Sequence, residues 1–199
     1  MKSRDFFLFL TGLILAAAFA CGQNPASSTP VASAPSVDND FVKKQFGSSC
    51  TVDSEFPPMT ADLNGDGIDD IVIVARCKNP LIDQDEKDYK VVDPLDSFYG
   101  YGNPKVTTGF ATEDPKLRGM SLLVIHGADP DAWRSATPQG KFVIINVPLK
   151  SITVKKMKVN KKKSTVAIYV EEAGGDQMTS AIFWDGKKYR YDPLGSSME

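Results

Sequence analysis

Oxygen-bearing side chains recur with a spacing of two in ADLNGDGIDD, residues 61–70. Calcium prefers six to eight oxygen ligands, and a loop with this spacing can curl several of them toward one point. Gly67 stands where such a loop must turn sharply, which glycine does without steric penalty. The spacing therefore predicts a Ca²⁺ site. Its ligands would be the side chains of Asp62, Asn64, Asp66 and Asp70 and the backbone carbonyl of Ile68.

The segment after the loop limits the kind of calcium site. Counted from Asp62, the twelfth place is Ile73, where an EF-hand needs a bidentate glutamate. The following run IVIV is β-branched and favours a strand over a helix. Three carboxylates would leave a net charge of −1 around a bound dication, without severe repulsion between ligands. The alternative is a solvated turn rich in Asp and Asn that only shapes the entry to the strand.

The segment DLNGDGIDDIVIV resembles the calcium loop of FG-GAP and VCBS-type repeats, as in integrin-like β-propellers. The resemblance implies that Asp62, Asn64, Asp66 and Asp70 are side-chain ligands and that a strand follows at once. The later LLVIHG resembles the next strand of such a blade. Proteins of that family carry several copies of the loop, whereas this chain carries one. The resemblance therefore implies the loop and its strand rather than a whole propeller.

Residues 1–20 have the parts of an export signal. Lys2 and Arg4 precede the apolar run FFLFLTGLILAAAF, which is too short for a stable transmembrane helix. The segment AFAC resembles the lipobox of bacterial lipoproteins, which implies that Cys21 is lipidated and begins the mature protein. With Gly22 next to it, the resemblance further implies sorting to the outer membrane of a Gram-negative cell. The Ala-x-Ala pattern before the cysteine also suits an ordinary signal peptidase.

Residues 21–38 are rich in Pro, Ser, Ala and Thr and contain no aromatic residue. Such a segment cannot bury enough apolar surface to offset the entropy of ordering, so it is predicted to be a flexible linker. A lipid with a spacer anchors a protein to the membrane without spanning it. The remaining residues 39–199 are enough for one β-rich domain with its own core.

Cysteine usage points to a disulfide near the loop. If Cys21 carries lipid, Cys50 and Cys77 remain as a pair in an oxidising compartment. A bridge between them would enclose the loop and its strand and stabilise the domain by roughly 3 to 4 kcal/mol. The alternative is two buried free thiols. A zinc or redox site is less favoured, because neither Cys has a second Cys or His nearby in sequence.

Catalytic patterns are weak. His126 is the single histidine and ends an apolar run, which favours a structural role. Asp129 and Asp131 can be paired carboxylates for glycoside hydrolysis, but a helix cap in an acidic loop is favoured. No nucleophile elbow, His-Glu-x-x-His motif or P-loop is present. The aromatic residues of 97–104 can stack on sugar or peptide, although inward packing is favoured.

The elements around these residues are predicted to be mainly strands. DNDFVKKQFG is predicted to be a short helix capped by Asp38 or Asp40, with Val42 and Phe46 on one face and Gly47 at its end. DDIVIVARC, SLLVIHG and KFVIINVPL are short Val- and Ile-rich runs typical of buried strands. ADPDAWRSATP is predicted to hold one helical turn capped at its first aspartate.

Two hairpins are predicted toward the C-terminus, one formed by SITVKKMKV with STVAIYVEE and one around Asp185-Gly186. In STVAIYVEE, alternation predicts that one face is more buried than the other. Residues 80–119 have few apolar runs and four prolines, which predicts an irregular insertion. The fold class is therefore a single, mainly β domain, rich in antiparallel hairpins, with one or two short helices.

Charge excludes some partners. The formal net charge is −2, and it becomes −3 once residues 1–20 are removed, so no nucleic-acid partner and no global membrane attraction are expected. Seven lysines lie within residues 150–163. A solvated hairpin that blocks edge-to-edge aggregation is favoured, and contact with anionic lipid headgroups or lipopolysaccharide is the alternative.

Together these patterns predict a calcium-stabilised binding or structural module of a bacterial cell envelope, held to the membrane through Cys21. Its partner would be an envelope glycan, a lipid headgroup or another protein. The alternative is an envelope hydrolase of glycan or peptide, whose catalytic acids lie in the loops of residues 83–131.

Overall fold

The computed structural model describes residues 36–93, 114, 116–147, 149–160, 163–173 and 178–196. The described part is mainly β, as predicted. Its helices are α1 (Asn39–Phe46) and α2 (Gln84–Lys87). Its strands are β1 (Cys50–Val52), β2 (Met59–Ala61), β3 (Asp70–Cys77), β4 (Lys90–Val92), β5 (Met120–His126), β6 (Gly140–Ile144), β7 (Leu149–Lys158), β8 (Ser164–Glu172), β9 (Met178–Trp184) and β10 (Tyr189–Ser196).

The strands form two sheets. The first has the order β1-β3-β5-β6-β4, with β2 also pairing with β3. Its pairs are antiparallel except for β4 and β6, which run parallel. The second sheet has the order β10-β9-β8-β7 and is antiparallel throughout. The two predicted C-terminal hairpins are therefore confirmed as β7–β8 and β9–β10.

The first sheet is covered on both faces, which explains the uninterrupted apolar run of β3. Ile71 and Ile73 belong to a core cluster with residues of α1, whereas Val72 and Val74 belong to a second cluster with residues of β8, β9 and β10. All four of these side chains are buried. The fold thus stacks a helix, the first sheet and the second sheet, and a strand in the middle layer needs apolar residues on both faces.

Helix α1 forms as its sequence predicts. The Asp38 carboxylate accepts a hydrogen bond from the Phe41 N–H at 2.9 Å, which satisfies a free donor of the first turn. Val42 and Phe46 are buried on one face, and Gly47 ends the helix with a φ of 84°. This packing fixes the helix on the first sheet.

Two predictions about the connecting segments differ from the structure. Residues 80–119 were expected to be irregular, yet their described part contains α2 and β4, the latter hydrogen-bonded to β6. The helical turn predicted for ADPDAWRSATP is wrong: the segment forms turns, and Ala128 and Ala132 form an isolated bridge. Ala132 has a φ of 53°, outside the right-handed helical region.

Some predicted segments lie outside the described residues. These are the signal peptide and lipidation site with most of the linker, and the aromatic residues of 97–104. Within the described part of the chain, no helix has the length and apolar character needed to span a membrane.

Candidate functional site

The predicted loop connects β2 to β3, which are neighbours in an antiparallel hairpin. Asp62 begins the loop, and its carboxylate accepts hydrogen bonds from three backbone N–H groups. Oδ1 accepts from Gly65 at 2.7 Å and from Asp66 at 3.1 Å, and Oδ2 accepts from Gly67 at 2.9 Å. One carboxylate therefore winds the next five residues into a tight turn.

Asn64 and Asp66 continue this pattern. Asn64 Oδ1 accepts from the Asp66 N–H at 3.0 Å, and Asp66 Oδ1 accepts from the Ile68 N–H at 2.8 Å. Asp66 Oδ2 accepts from Asn64 Nδ2 at 2.9 Å and from Gln139 Nε2 at 2.6 Å, which ties the loop to the segment before β6. Gly67 has a φ of 87°, the sharp turn that its position predicted.

Asp70 fastens the loop to the sheet. Its side chain is fully buried, and Oδ2 accepts from the Leu63 N–H at 2.8 Å and from the Asn64 N–H at 3.3 Å. Oδ1 accepts from the Gly127 N–H at 2.8 Å, at the end of the neighbouring strand β5. Burial raises the pKa of this carboxyl to about 6, against the opposing effect of the three N–H groups. Asp70 thus joins both ends of the loop to β5.

The donor set fits calcium in kind, since Asp62, Asn64 and Asp66 bring carboxylate and amide oxygens into one short loop. As the loop stands, the described residues contain no group of three Asp, Glu, His or Cys side chains placed to hold a metal ion. Both carboxylate oxygens of Asp70 accept hydrogen bonds from backbone N–H groups, three in all. A carboxylate has about four lone-pair sites, so one remains free to bind an ion. The assignment of these ligands, and of the Ile68 carbonyl, stays a prediction.

His126 lies behind the loop in a cluster of four rings. Its Nε2 atom is 2.7 Å from the Tyr189 hydroxyl, and the two side chains are 4 % and 0 % exposed. The rings of Phe142 and Trp184 lie 4.8 and 5.0 Å from the His126 ring. Burial lowers the pKa of His126 to about 4, although nearby acids oppose the shift. The imidazole is therefore neutral at pH 7 and ties β5 to β10, in keeping with the structural role predicted for it.

Two adjoining cavities open beside the loop, with volumes of about 660 and 550 Å³. Both are lined by Asn64, Trp184 and Gly186. The larger cavity reaches the His126 ring cluster. The smaller one continues to the end of the β7–β8 hairpin, where Lys156 lines it. We call the two cavities together the loop cleft.

Strand β7 distributes its lysines between two faces. Met157 is buried with residues of β8 and β9, and the Lys155 ammonium lies 4.2 Å from the centre of the Tyr169 ring on this same outer face. Lys156 points to the opposite face, toward the loop cleft. Lys163, in the turn between β7 and β8, lines the same cavity, so the lysine-rich hairpin places two of its cations beside the predicted calcium loop.

The predicted disulfide is present. Cys50 and Cys77 face each other in the register of β1 and β3, and their sulfur atoms are bonded. Both side chains are buried in the core cluster that contains Phe46. The bridge therefore holds the short edge strand β1, and with it the end of α1, against β3.

Asp129 and Asp131, the carboxylates considered for glycoside chemistry, are exposed and line neither part of the loop cleft. The structure does not bring them together with His126 in a cavity. Comparison with models of protein families, with curated proteins and with solved structures finds no match.

Several residues of the site belong to no sequence motif and were not predicted. Gln139 and Gly127 reach the loop from more than 50 positions away along the chain, at separations of 73 from Asp66 and 57 from Asp70. Trp184 follows Ile182 with strand alternation, which places both on the inner face of β9, but this spacing does not indicate a cavity. These contributions depend on how the two sheets pack.

Proposed function

We propose that this protein is a calcium-stabilised binding domain of a bacterial cell envelope, tethered by a lipid on Cys21. The observation that carries the proposal is the hydrogen-bonded winding of residues 62–70. Asp62 accepts three backbone N–H groups, and Asn64 and Asp66 accept one each, which holds their oxygens in one short loop before any metal binds. A loop ordered in this way loses little further entropy when it binds an ion.

The position of the loop supports a stabilising role for the ion. The loop begins where β2 ends and finishes at Asp70 in β3, so filling it would fix how the two strands meet. It also borders the loop cleft, so the ion would order one wall of the cavities. The disulfide between β1 and β3 supports export, since such bridges persist in oxidising compartments.

Calcium is expected to raise the melting temperature of the soluble domain by a few degrees. Extracellular modules bind calcium with dissociation constants of about 0.1 to 1 mM, and ten times that concentration stabilises by roughly 1.4 kcal/mol. For a domain of this size such a gain shifts the melting temperature by about 3 to 6 °C. Calorimetry in millimolar calcium and in chelator measures the shift, and magnesium should give less because it demands tighter octahedral geometry.

Matched variants locate the calcium effect. Asp66→Ala should abolish the shift and leave the domain folded, because Asp70 and the disulfide still hold the region. Asp69→Ala removes an exposed acid from the same loop that is not a predicted ligand, and it should keep the shift. Equal melting in calcium and chelator, with no heat of binding, would mean that the loop is only a turn.

Lipidation is expected at Cys21. The motivating residues are the apolar run and small residues before Cys21 and the linker after it. In a Gram-negative host, a fatty-acid analogue should label the wild-type chain and leave Cys21→Ser unlabelled, and only the wild type should fractionate with membranes. Equal labelling of both proteins would remove the lipid anchor from the proposal.

A further inference from the structure

We propose that the loop cleft binds an acidic saccharide, with a sugar ring against Trp184 and its carboxylate or phosphate group between Lys156 and Lys163. The inference deepens the proposed function, since it rests on the same loop and names the class of ligand. Three observations support it: the ring that lines both cavities, the two lysines that line the smaller one, and the hydrogen bonds of the acid beside them.

Trp184 is the aromatic wall of the cleft. It lines both cavities and is half-buried, and its ring is held by Phe142 at 5.2 Å and Tyr189 at 5.3 Å. Because these contacts fix the indole, a ligand would not have to order it. The face of an aromatic ring is electron-rich and attracts weakly positive C–H groups, such as those on one side of a sugar ring.

The two lysines of the cleft, Lys156 and Lys163, lie where the inward-facing apolar residues of β7 end. Ile152 and Val154 pack into the core between the sheets, and the next inward position is Lys156. Lys163 lines the same cavity from the turn that follows β7. Neither ammonium is in an ion pair with another described residue. This end of the cleft is therefore suited to bind an anionic group of a ligand.

The acid that shares this cavity does not form an ion pair with either lysine. Asp62 lines the same cavity, but its two oxygens accept three backbone N–H groups. With calcium in the loop, the local negative charge would fall further and an anionic ligand would be favoured. The cavity volumes of about 660 and 550 Å³ lie within the range of about 300–1,000 Å³ typical of small-molecule sites.

The mixed lining distinguishes a saccharide from other ligands. Polar and charged residues surround Trp184, among them Asn64, Gln139 and Lys187. A lipid chain would need a continuous apolar wall, which this lining does not supply. A sugar has hydroxyl groups for the polar side chains and C–H groups for the indole.

Calorimetric titration tests the inference on the soluble chain from residue 22 onward, in millimolar calcium. The acidic probe is a hyaluronan tetrasaccharide, and the neutral probe of equal length is fully N-acetylated chitotetraose. We expect the acidic probe to bind at least about tenfold more tightly, because two charge-assisted contacts are available to it alone. Lys156→Gln combined with Lys163→Gln should abolish this preference. The control pair Lys44→Gln with Lys155→Gln removes the same charge outside the cleft and should keep it.

The role of the ring is tested separately. Trp184→Ala should remove binding of the acidic probe, and Trp184→Phe, which keeps a ring and the core packing, should retain part of it. Circular dichroism melting checks that both variants are folded. Equal affinity for both probes, no binding of either probe, or equal loss in the control pair would overturn the inference.

Calcium dependence separates this inference from the proposed function. If calcium binds but the tetrasaccharide does not, the cleft assignment fails while the calcium loop stands. If the tetrasaccharide binds equally well in chelator and calcium gives no melting shift, the calcium proposal fails while the cleft assignment stands. Inorganic phosphate that competes fully with the tetrasaccharide at equal concentration would show that the site recognises charge alone, and would overturn the saccharide part.

Discussion

Asp70→Ala is expected to lower the free energy of unfolding by about 2 to 4 kcal/mol at pH 7. The substitution leaves the N–H groups of Leu63, Asn64 and Gly127 without their acceptor. Two of these three hydrogen bonds are buried, so water cannot replace the carboxylate without opening the hairpin. The substitution also removes a buried charge, which is itself unfavourable, and this gain offsets part of the lost hydrogen bonding. The expected fall in the free energy of unfolding is therefore smaller than the sum of three charge-assisted hydrogen bonds.

Urea unfolding of the wild type, Asp70→Ala and Asp70→Asn measures this effect. The asparagine variant should lie between the other two, since its amide oxygen can still accept from Leu63 and Asn64 but its NH₂ group faces another donor at Gly127. Asp69→Ala serves as the neighbouring control and should change stability little, because its side chain is exposed. An Asp70→Ala variant as stable as Asp69→Ala would contradict the anchoring role.

The pH dependence gives an independent check in calcium-free buffer. Burial raises the folded-state pKa of Asp70 from 3.8 to about 6, so the folded state binds this proton more readily than the unfolded state. The contribution of Asp70 to stability therefore falls as pH rises from about 4 to about 6. The difference in unfolding free energy between wild type and Asp70→Asn should decrease over this interval and level off above it. A difference that stays flat would show that the carboxyl is not shifted.

The loop illustrates what spacing predicts and what it leaves open. Gly67 was predicted to mark a sharp turn, and the structure has that turn, with the Asp and Asn side chains bonded to backbone N–H groups a few positions ahead. The ninth place was predicted to be a ligand like the others. In the structure Asp70 also connects the loop to a distant part of the sheet, since one of its hydrogen-bond donors is Gly127, the residue that follows β5. Contacts between strands distant in sequence have no local signal.

Strands were predictable where burial makes a continuous signal. The runs in β3 and β5 are apolar because both faces of the first sheet are covered. The strands β2 and β4 have three residues each, too short for any period to emerge, and β4 forms by pairing with β6. Their sequence has little preference of its own, so pairing with the sheet decides their conformation.

The cluster of four rings beside the loop could not be predicted from the sequence either. His126 ends β5, Phe142 lies in β6, and Trp184 and Tyr189 flank the turn between β9 and β10. Each position is compatible with a buried or half-buried strand residue. Their convergence requires the second sheet to pack on the first, and it creates the aromatic wall of the loop cleft.

Replacing both Cys50 and Cys77 with alanine is expected to lower the free energy of unfolding by about 3.5 kcal/mol. The bridge spans a sequence separation of 27, and constraining a loop of that length in the unfolded chain gives a value of this size. The loss should appear as a fall in melting temperature of roughly 10 °C. Changing both residues avoids leaving a reactive single thiol.

A reducing agent provides the matching measurement. It should lower the stability of the wild type by as much as the double substitution does, and it should not change the stability of the double variant. Mass spectrometry of unreduced protein isolated from the periplasm should detect a cross-linked peptide that joins Cys50 and Cys77. Since the bridge holds β1 opposite β3, hydrogen exchange in the double variant should rise first in β1 and the end of α1. Free thiols at both positions, or a double variant as stable as the wild type, would show that burial alone holds this edge strand.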